Sequence, residues 1–186
     1  KADWYVWADP KPDGSPPTNW HSHFGGPAWE FEAVRGQYYL HNFLSQQPDL
    51  NFHNPDVVDA ILDTAKFWLD RGLDGFRLDT VNYYFHDKHL RSNPAAKGGR
   101  QVMATDLYGM QDNIHNKNQL ENLAFLEQLR ALCDQYDGIM MVGEVGDMGQ
   151  RSIDLMAEYT KGGSRLHMAY SVAMLGPDFN PKHFRG

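Results

Sequence analysis

The chain has 186 residues, with 17 Lys and Arg against 24 Asp and Glu, for a formal charge of −7 with histidines neutral. An acidic balance argues against nucleic acid as partner, because phosphate binding needs a basic face. Hydrophobic residues make up 41% and charged residues 22%; no apolar run approaches the roughly 20 residues of a membrane span, so no membrane partner is expected. The single cysteine, Cys133, has no partner for an internal disulfide, and no paired cysteines offer a zinc-finger spacing. The length suits one domain, and a start at Lys1 without a signal-like segment reads as a piece of a longer chain.

Trp4, Trp7, Trp20 and Trp29 are four of the five tryptophans, and five of the ten prolines lie by Pro27. From Lys1 to Leu50 the aliphatic residues are few, so this stretch is expected to be ordered loop with little core of its own, packed on something else. Asn54-Pro55-Asp56 is a helix start: Asn caps, Pro suits the first turn, and Val57, Val58, Ile61, Leu62, Ala65, Trp68 and Leu69 keep a helical period that Gly72 ends. Asp74 to Asp79 reads as a short strand reached through a tight turn and ending in polar residues. Lys88 to Lys117, with Pro94, Gly98, Gly99 and Gly109, is a polar loop that hands over to a helix from about Gln119 to Tyr136. Ile139-Met140-Met141-Val142 is a buried strand closed by Gly143-Glu144, a helix follows over about Ser152 to Tyr159, and Leu166 to Tyr170 is the next strand.

Strands alternating with helices imply an α/β fold with a parallel sheet, which flavodoxin-like and barrel arrangements both satisfy. Two successive strands end in a carboxylate, Asp79 and Glu144, and barrel enzymes carry catalytic groups there. A barrel is therefore favoured.

Arg77 and Asp79 are two apart in a strand and share a face, so the guanidinium can hold the carboxylate ionised, as a nucleophile requires. Glu144 ends a strongly apolar strand, where desolvation suits it to give and take a proton. Two carboxylates in different environments take different roles, as in breaking a glycosidic bond. The same residues also fit a structural ion pair with Glu144 capping the next turn. The nine histidines do not make a metal site: His21 and His23 are two apart in a loop, and His86, Asp87 and His89 form no zinc pattern. Asp9, Asp13 and Gly14 lack the further acidic ligand of a calcium loop. No metal is expected.

Gly75-Phe76-Arg77-Leu78-Asp79 resembles the nucleophile segment of glycoside hydrolase family 13, the alpha-amylase family, and Gly143-Glu144-Val145 resembles its acid/base segment. Gln47-Pro48-Asp49-Leu50-Asn51 resembles a third marker, in the form found in oligo-1,6-glucosidases and alpha-glucosidases. The opening from Asp3 to Pro10, then Pro16 to Trp20 and Phe24-Gly25-Gly26, is similar to domain B of bacterial alpha-glucosidases. The resemblance implies that residues 1–52 are a domain B-like, loop-rich segment and 53–186 the central part of a catalytic (β/α)8 TIM barrel, about strands 4 to 6, incomplete at both ends. It implies Asp79 as nucleophile, Glu144 as general acid/base and Arg77 as the residue holding Asp79. It further implies Phe24 and Phe43 lining the subsite for the terminal glucose, and Thr80 accompanying a preference for alpha-1,4 linkages, where members preferring alpha-1,6 tend to carry Val. The implied activity is that of a retaining alpha-glucosidase acting on short, maltose-like oligosaccharides in the bacterial cytoplasm, without a cofactor.

A complete member also has a substrate-binding His before domain B and a later His-Asp pair, and neither segment is in this sequence. An open half barrel leaves sheet edges and apolar surface unpaired, so the 186 residues alone are expected to be unstable or to associate, with little activity. Two alternatives stand beside hydrolysis: a transglycosylase or isomerase of the same family, and a non-catalytic scaffold such as a transporter heavy chain, which has no need of Arg77, Asp79 and Glu144 together.

Overall fold

The first fifty residues build their interior from tryptophan rather than from aliphatic side chains. In the computed structural model, which describes residues 1–97, 106–172 and 181, Trp20 and Trp29 stack with ring centroids 5.7 Å apart. They form a buried cluster with Val6, Ala8, Ala28 and Leu40, against which Tyr38 and Leu90 pack. A buried indole N–H needs an acceptor. Trp20 Nε1 donates to the Arg91 carbonyl at 2.9 Å, and Trp29 Nε1 to Thr18 Oγ1 at 2.8 Å. The sequence-based expectation of a loop with little core is thus corrected, because one aromatic side chain buries roughly 150–250 Å² and two indoles stand in for several missing aliphatics. Three short strands frame the cluster: β1 (Trp7–Ala8), β2 (Trp29–Glu32) and β3 (Gln37–Leu40), antiparallel in the order β1-β3-β2.

The chain divides into two units, Lys1–Asp59 with Tyr83–Gln119, and Ala60–Asn82 with Leu120–Gly186. Residues 98–105 of the predicted polar loop, with Gly98 and Gly99, lie outside the described residues. The described parts of that loop are fastened within the first unit by a ladder of buried amides. Asn93 Nδ2 donates to Asn116 Oδ1 at 3.0 Å, and Asn116 Nδ2 to Asn42 Oδ1 at 3.1 Å. Asn42 in turn gives its backbone N–H and its Nδ2 to Asp49 Oδ2, at 3.0 and 2.6 Å. Interior amides persist only when satisfied, so each rung fixes the register of the next.

Burial pushes the Asp49 carboxyl up to about 7, and the two Asn42 bonds offset this only in part. A carboxyl that holds its proton more tightly when folded loses stability as pH rises from its unfolded value near 3.8 to its folded value near 7, and the loss is complete above that. The expected cost is on the order of 4 kcal/mol. Asp49→Asn keeps an acceptor for Asn42 without the charge. Its thermal midpoint is expected to stay level between pH 5 and 8 at this site while the parent's falls; parallel curves for the two proteins would refute the assignment.

Helix α1 (Pro55–Leu69) begins where Asn54-Pro55-Asp56 predicts: Asn54 Oδ1 accepts the Asp56 N–H at 3.0 Å. It closes at Gly72, at φ 83, whose N–H bonds the Leu69 carbonyl at 2.9 Å. The second unit then holds β4 (Gly75–Leu78), α2 (Glu121–Cys133), β5 (Met140–Val145), α3 (Gly149–Thr160) and β6 (Met168–Ser171). The three strands are parallel in the order β4-β5-β6. All three were legible in the sequence. α3 starts three residues earlier than expected, because Met148 before it makes no side-chain cap bond that would mark the end. α2 buries Asn122, Phe125, Leu126, Leu129 and Cys133, a helical stripe that brings Cys133 Sγ within 3.5 Å of Met141 Sδ.

Two glycines are steric requirements of this sheet. Gly75 stands at φ 152, and a Cβ there would lie 1.9 Å from the Met140 carbonyl oxygen, a backbone atom that cannot turn aside. A Cβ on Gly143 would meet Leu166 Cδ1 at 2.5 Å and Val81 Cγ1 at 3.1 Å. Gly143 therefore lets the chain after β4 pack directly on β5. No helix among the described residues is long and apolar enough to cross a membrane.

Candidate active site

Register decides what meets at the carboxyl ends of the second unit's strands. Leu78 pairs with Gly143 and Glu144 with Tyr170, so Arg77, Asp79, Glu144 and Tyr170 fall on one face, since alternate residues of a strand and direct partners across it point the same way. Met141 and Val145 point to the other face and are fully buried. Arg77 lies at the centre of the polar group. Its Nη1 donates to Asp79 Oδ1 at 2.6 Å, its Nη2 donates to Glu144 Oε2, and its Nε donates to the Tyr170 hydroxyl at 3.1 Å.

The sequence placed Arg77 on Asp79 alone; its bonds to Glu144 and Tyr170 come from the parallel register of β4, β5 and β6. Glu144 was expected in apolar surroundings at the end of an apolar strand; it instead shares the Arg77 guanidinium with Asp79. The Glu144 side chain is 13% exposed and the Asp79 side chain 72%. The Arg77 guanidinium holds its proton more firmly than an ordinary arginine, first through Tyr170 and then through Asp79.

Thr80 follows Asp79 at φ 37, an uncommon conformation for a β-branched residue. Such strain persists where neighbours over-determine the backbone. Here Val81 is fully buried, and Asn82 Oδ1 accepts the Gly146 N–H at 2.8 Å, tying the chain after β4 to the chain after β5. Asn122 Nδ2 adds a bond to the Val81 carbonyl at 2.8 Å. Asn82 and Asn122 were not singled out from the sequence, because a single asparagine has no spacing signature. Tyr170 was legible in principle, being a polar residue at the end of a predicted strand, like Asp79 and Glu144.

The first unit brings Phe24 and Phe43 together, with ring centroids 5.7 Å apart. His23 touches both, at 5.5 and 6.0 Å, and meets Tyr108 at 5.1 Å. Tyr83 packs on Phe43 at 5.1 Å and shares a hydrogen bond with Tyr108 at 2.6 Å between hydroxyls. The buried Lys117 ammonium stands over both phenol rings. Burial, aided by the Lys117 charge and opposed by Asp106, moves the His23 imidazole below its ordinary value. Phe24 remains 64% exposed. Among the described residues no group of three or more His, Cys, Asp or Glu is arranged to hold a metal ion.

A parallel sheet that offers two carboxylates and an arginine at its strand ends has the makings of a glycoside hydrolase. The chain belongs to the alpha-amylase family, whose catalytic-domain model matches residues 1–185. It is 55% identical to a probable alpha-glucosidase of Rhizobium meliloti (strain 1021), over 96% of this chain and 33% of that protein. It is 37% identical to an oligo-1,6-glucosidase of Heyndrickxia coagulans, over 96% of this chain and 30% of the relative. Among solved structures, the alpha-glucosyl transfer enzyme XgtA matches with a TM-score of 0.90 and 53% identity, over 99% of this chain and 35% of that one. The chain thus spans about a third of the length of these proteins.

Proposed function

We propose that this chain forms the central part of the catalytic domain of a retaining alpha-glucosidase that cleaves terminal alpha-glucosidic bonds of short oligosaccharides. The observation that carries the reading is one guanidinium, Arg77, hydrogen-bonded to both Asp79 and Glu144. Both carboxylates thus lie within reach of one guanidinium, and the proposal requires them about 5–5.5 Å apart, the separation of retaining enzymes. Glu144 protonates the glycosidic oxygen while Asp79 attacks the anomeric carbon; Glu144 then takes a proton from the water that releases glucose from Asp79. No bound cofactor enters these steps. Phe24 and Phe43 are proposed to stack on a sugar ring, whose apolar face suits aromatic side chains.

The architecture proposed is strands 4 to 6 of a (β/α)8 barrel over residues 53–186, with a domain B-like segment over 1–52. The exposed Met140 and Met168 support it. They share a face with Arg77 and Glu144, and a barrel interior fills that face with side chains. The preference for alpha-1,4 over alpha-1,6 linkages rests on Thr80, whose hydroxyl gives a neighbouring sugar oxygen a partner that Val would not.

The test is to treat the full-length protein with 5-fluoro-alpha-glucosyl fluoride and digest it for mass spectrometry. Fluorine at C5 slows an oxocarbenium-like transition state, while fluoride leaves readily, so the glycosyl-enzyme accumulates. A glycosyl label on the Asp79 peptide is expected. An unlabelled, folded protein that hydrolyses neither maltose nor isomaltose would overturn the reading in favour of a non-catalytic scaffold. A second reading, glucosyl transfer to a sugar acceptor, is favoured by the XgtA match, that protein being named an alpha-glucosyl transfer enzyme. Product partition between water and added glucose separates the two.

A further inference from the structure

We propose that Tyr170 is a positioning residue for this reaction: its hydroxyl anchors Nε of Arg77, so that the two Nη groups divide between Asp79 and Glu144. The inference rests on the glucosidase reading above for its activity readout. Its geometry is independent of that reading. A guanidinium offers five N–H donors in a rigid planar fork at the end of a flexible stem. With its two Nη groups alone engaged, the fork can swing to pair with one carboxylate through both nitrogens, the geometry arginine favours. The bond from Nε to the Tyr170 oxygen, at 3.1 Å, fixes the third corner of the plane and opposes that swing.

The strand pairing makes this possible. Tyr170 lies directly across from Glu144 in the β5–β6 register, and Arg77 lies on β4 at the other side of β5. The fork therefore reaches across the middle strand, touching the side chain of β5 and the side chain of β6 with separate nitrogens. The groups acting on the Arg77 charge are Tyr170, Asp79 and Glu144, with Tyr170 first among them. Among the described residues the Arg77 side chain is 49% accessible, and the hydrogen bonds to Tyr170, Asp79 and Glu144 are what orient its fork. The nucleophile and the acid/base have opposite needs: one must stay ionised, the other must hold a proton until the leaving group departs. A guanidinium collapsed onto either would unbalance the pair.

Tyr170→Phe keeps the ring and removes the acceptor. In the full-length protein it is expected to lower kcat roughly tenfold, the loss of one hydrogen bond to a charged group, with KM within about twofold because the hydroxyl does not touch substrate. Both limbs of the pH profile of kcat/KM are expected to shift, and the thermal midpoint to stay. In an Arg77→Lys background, whose ammonium has no Nε to present, Tyr170→Phe is expected to add nothing, since residues acting through one contact are not additive. Unchanged kcat and pH profile in Tyr170→Phe, or a loss that adds fully to that of Arg77→Lys, would overturn the proposal. The Arg77 Nε–H exchange rate, followed by NMR, gives a readout that needs no activity and can be taken whenever a variant is folded. Faster exchange in Tyr170→Phe supports the anchor and equal exchange rejects it. A parent protein inactive on every alpha-glucoside would sink the glucosidase reading, and the exchange rate would still decide the role of Tyr170.

Discussion

Asp79→Asn is expected to abolish turnover, with a loss on the order of 10⁴-fold or more in kcat, while leaving the protein folded. Catalysis that passes through a covalent intermediate loses the whole route with its nucleophile, and a carboxamide is a neutral, poor nucleophile. The side chain is nearly isosteric and still offers an oxygen to Arg77 Nη1, which now reaches Asp79 at 2.6 Å. The exchange changes neither volume nor shape at this position, so the thermal midpoint should move little. The expected pair of results is an unchanged melting curve with no glycosyl label on the peptide containing residue 79. A variant that kept a tenth of parental kcat would remove Asp79 from the nucleophile's role.

The second large effect concerns Glu144→Gln, and its size should depend on the leaving group. General acid–base catalysis contributes typically about 10²–10⁴-fold, and that is the expected loss on maltose, whose departing alkoxide needs a proton. An activated aryl glucoside needs none to leave, so formation of the glycosyl-enzyme should be much less affected. Its breakdown by water still lacks a base and becomes rate-limiting. Azide, an anion that attacks without a base, should then accelerate turnover and yield a glucosyl azide of retained configuration. Equal losses on both substrates with no response to azide would show that Glu144 is not the acid/base. Glu144 is the less exposed carboxylate, at 13%. Its replacement is therefore expected to cost some stability as well, and steady-state rates need to be read against the folded fraction.

These effects depend on features that differ in how far the sequence announces them. The parallel sheet was legible, because three apolar runs of strand length alternate with helical periods, and alternation of that kind leaves few topologies. The start of α1 was legible to the residue, since Asn54, Pro55 and Gly72 act through local bonds. Arg77, Asp79 and Glu144 were legible as polar ends on apolar strands. The tryptophan core of the first unit was misread: scarcity of aliphatic residues suggested loop, and only packing shows that Trp20 and Trp29 supply the buried area. The amide ladder from Asn93 through Asn116 and Asn42 to Asp49 was invisible for a related reason, as its rungs join residues up to 74 positions apart.

The sequence by itself determined the local elements, the family markers and the residues proposed as reactive, because propensity, capping and residue chemistry act over a few neighbouring positions. The tertiary structure decided the partners. Parallel register sets Glu144 beside the end of β4 and Tyr170 beside Glu144, and only then does one arginine reach two carboxylates and a phenol. Chain positions 77, 144 and 170 carry no record of that meeting, since a hydrogen bond depends on distance and angle in space and not on separation along the chain.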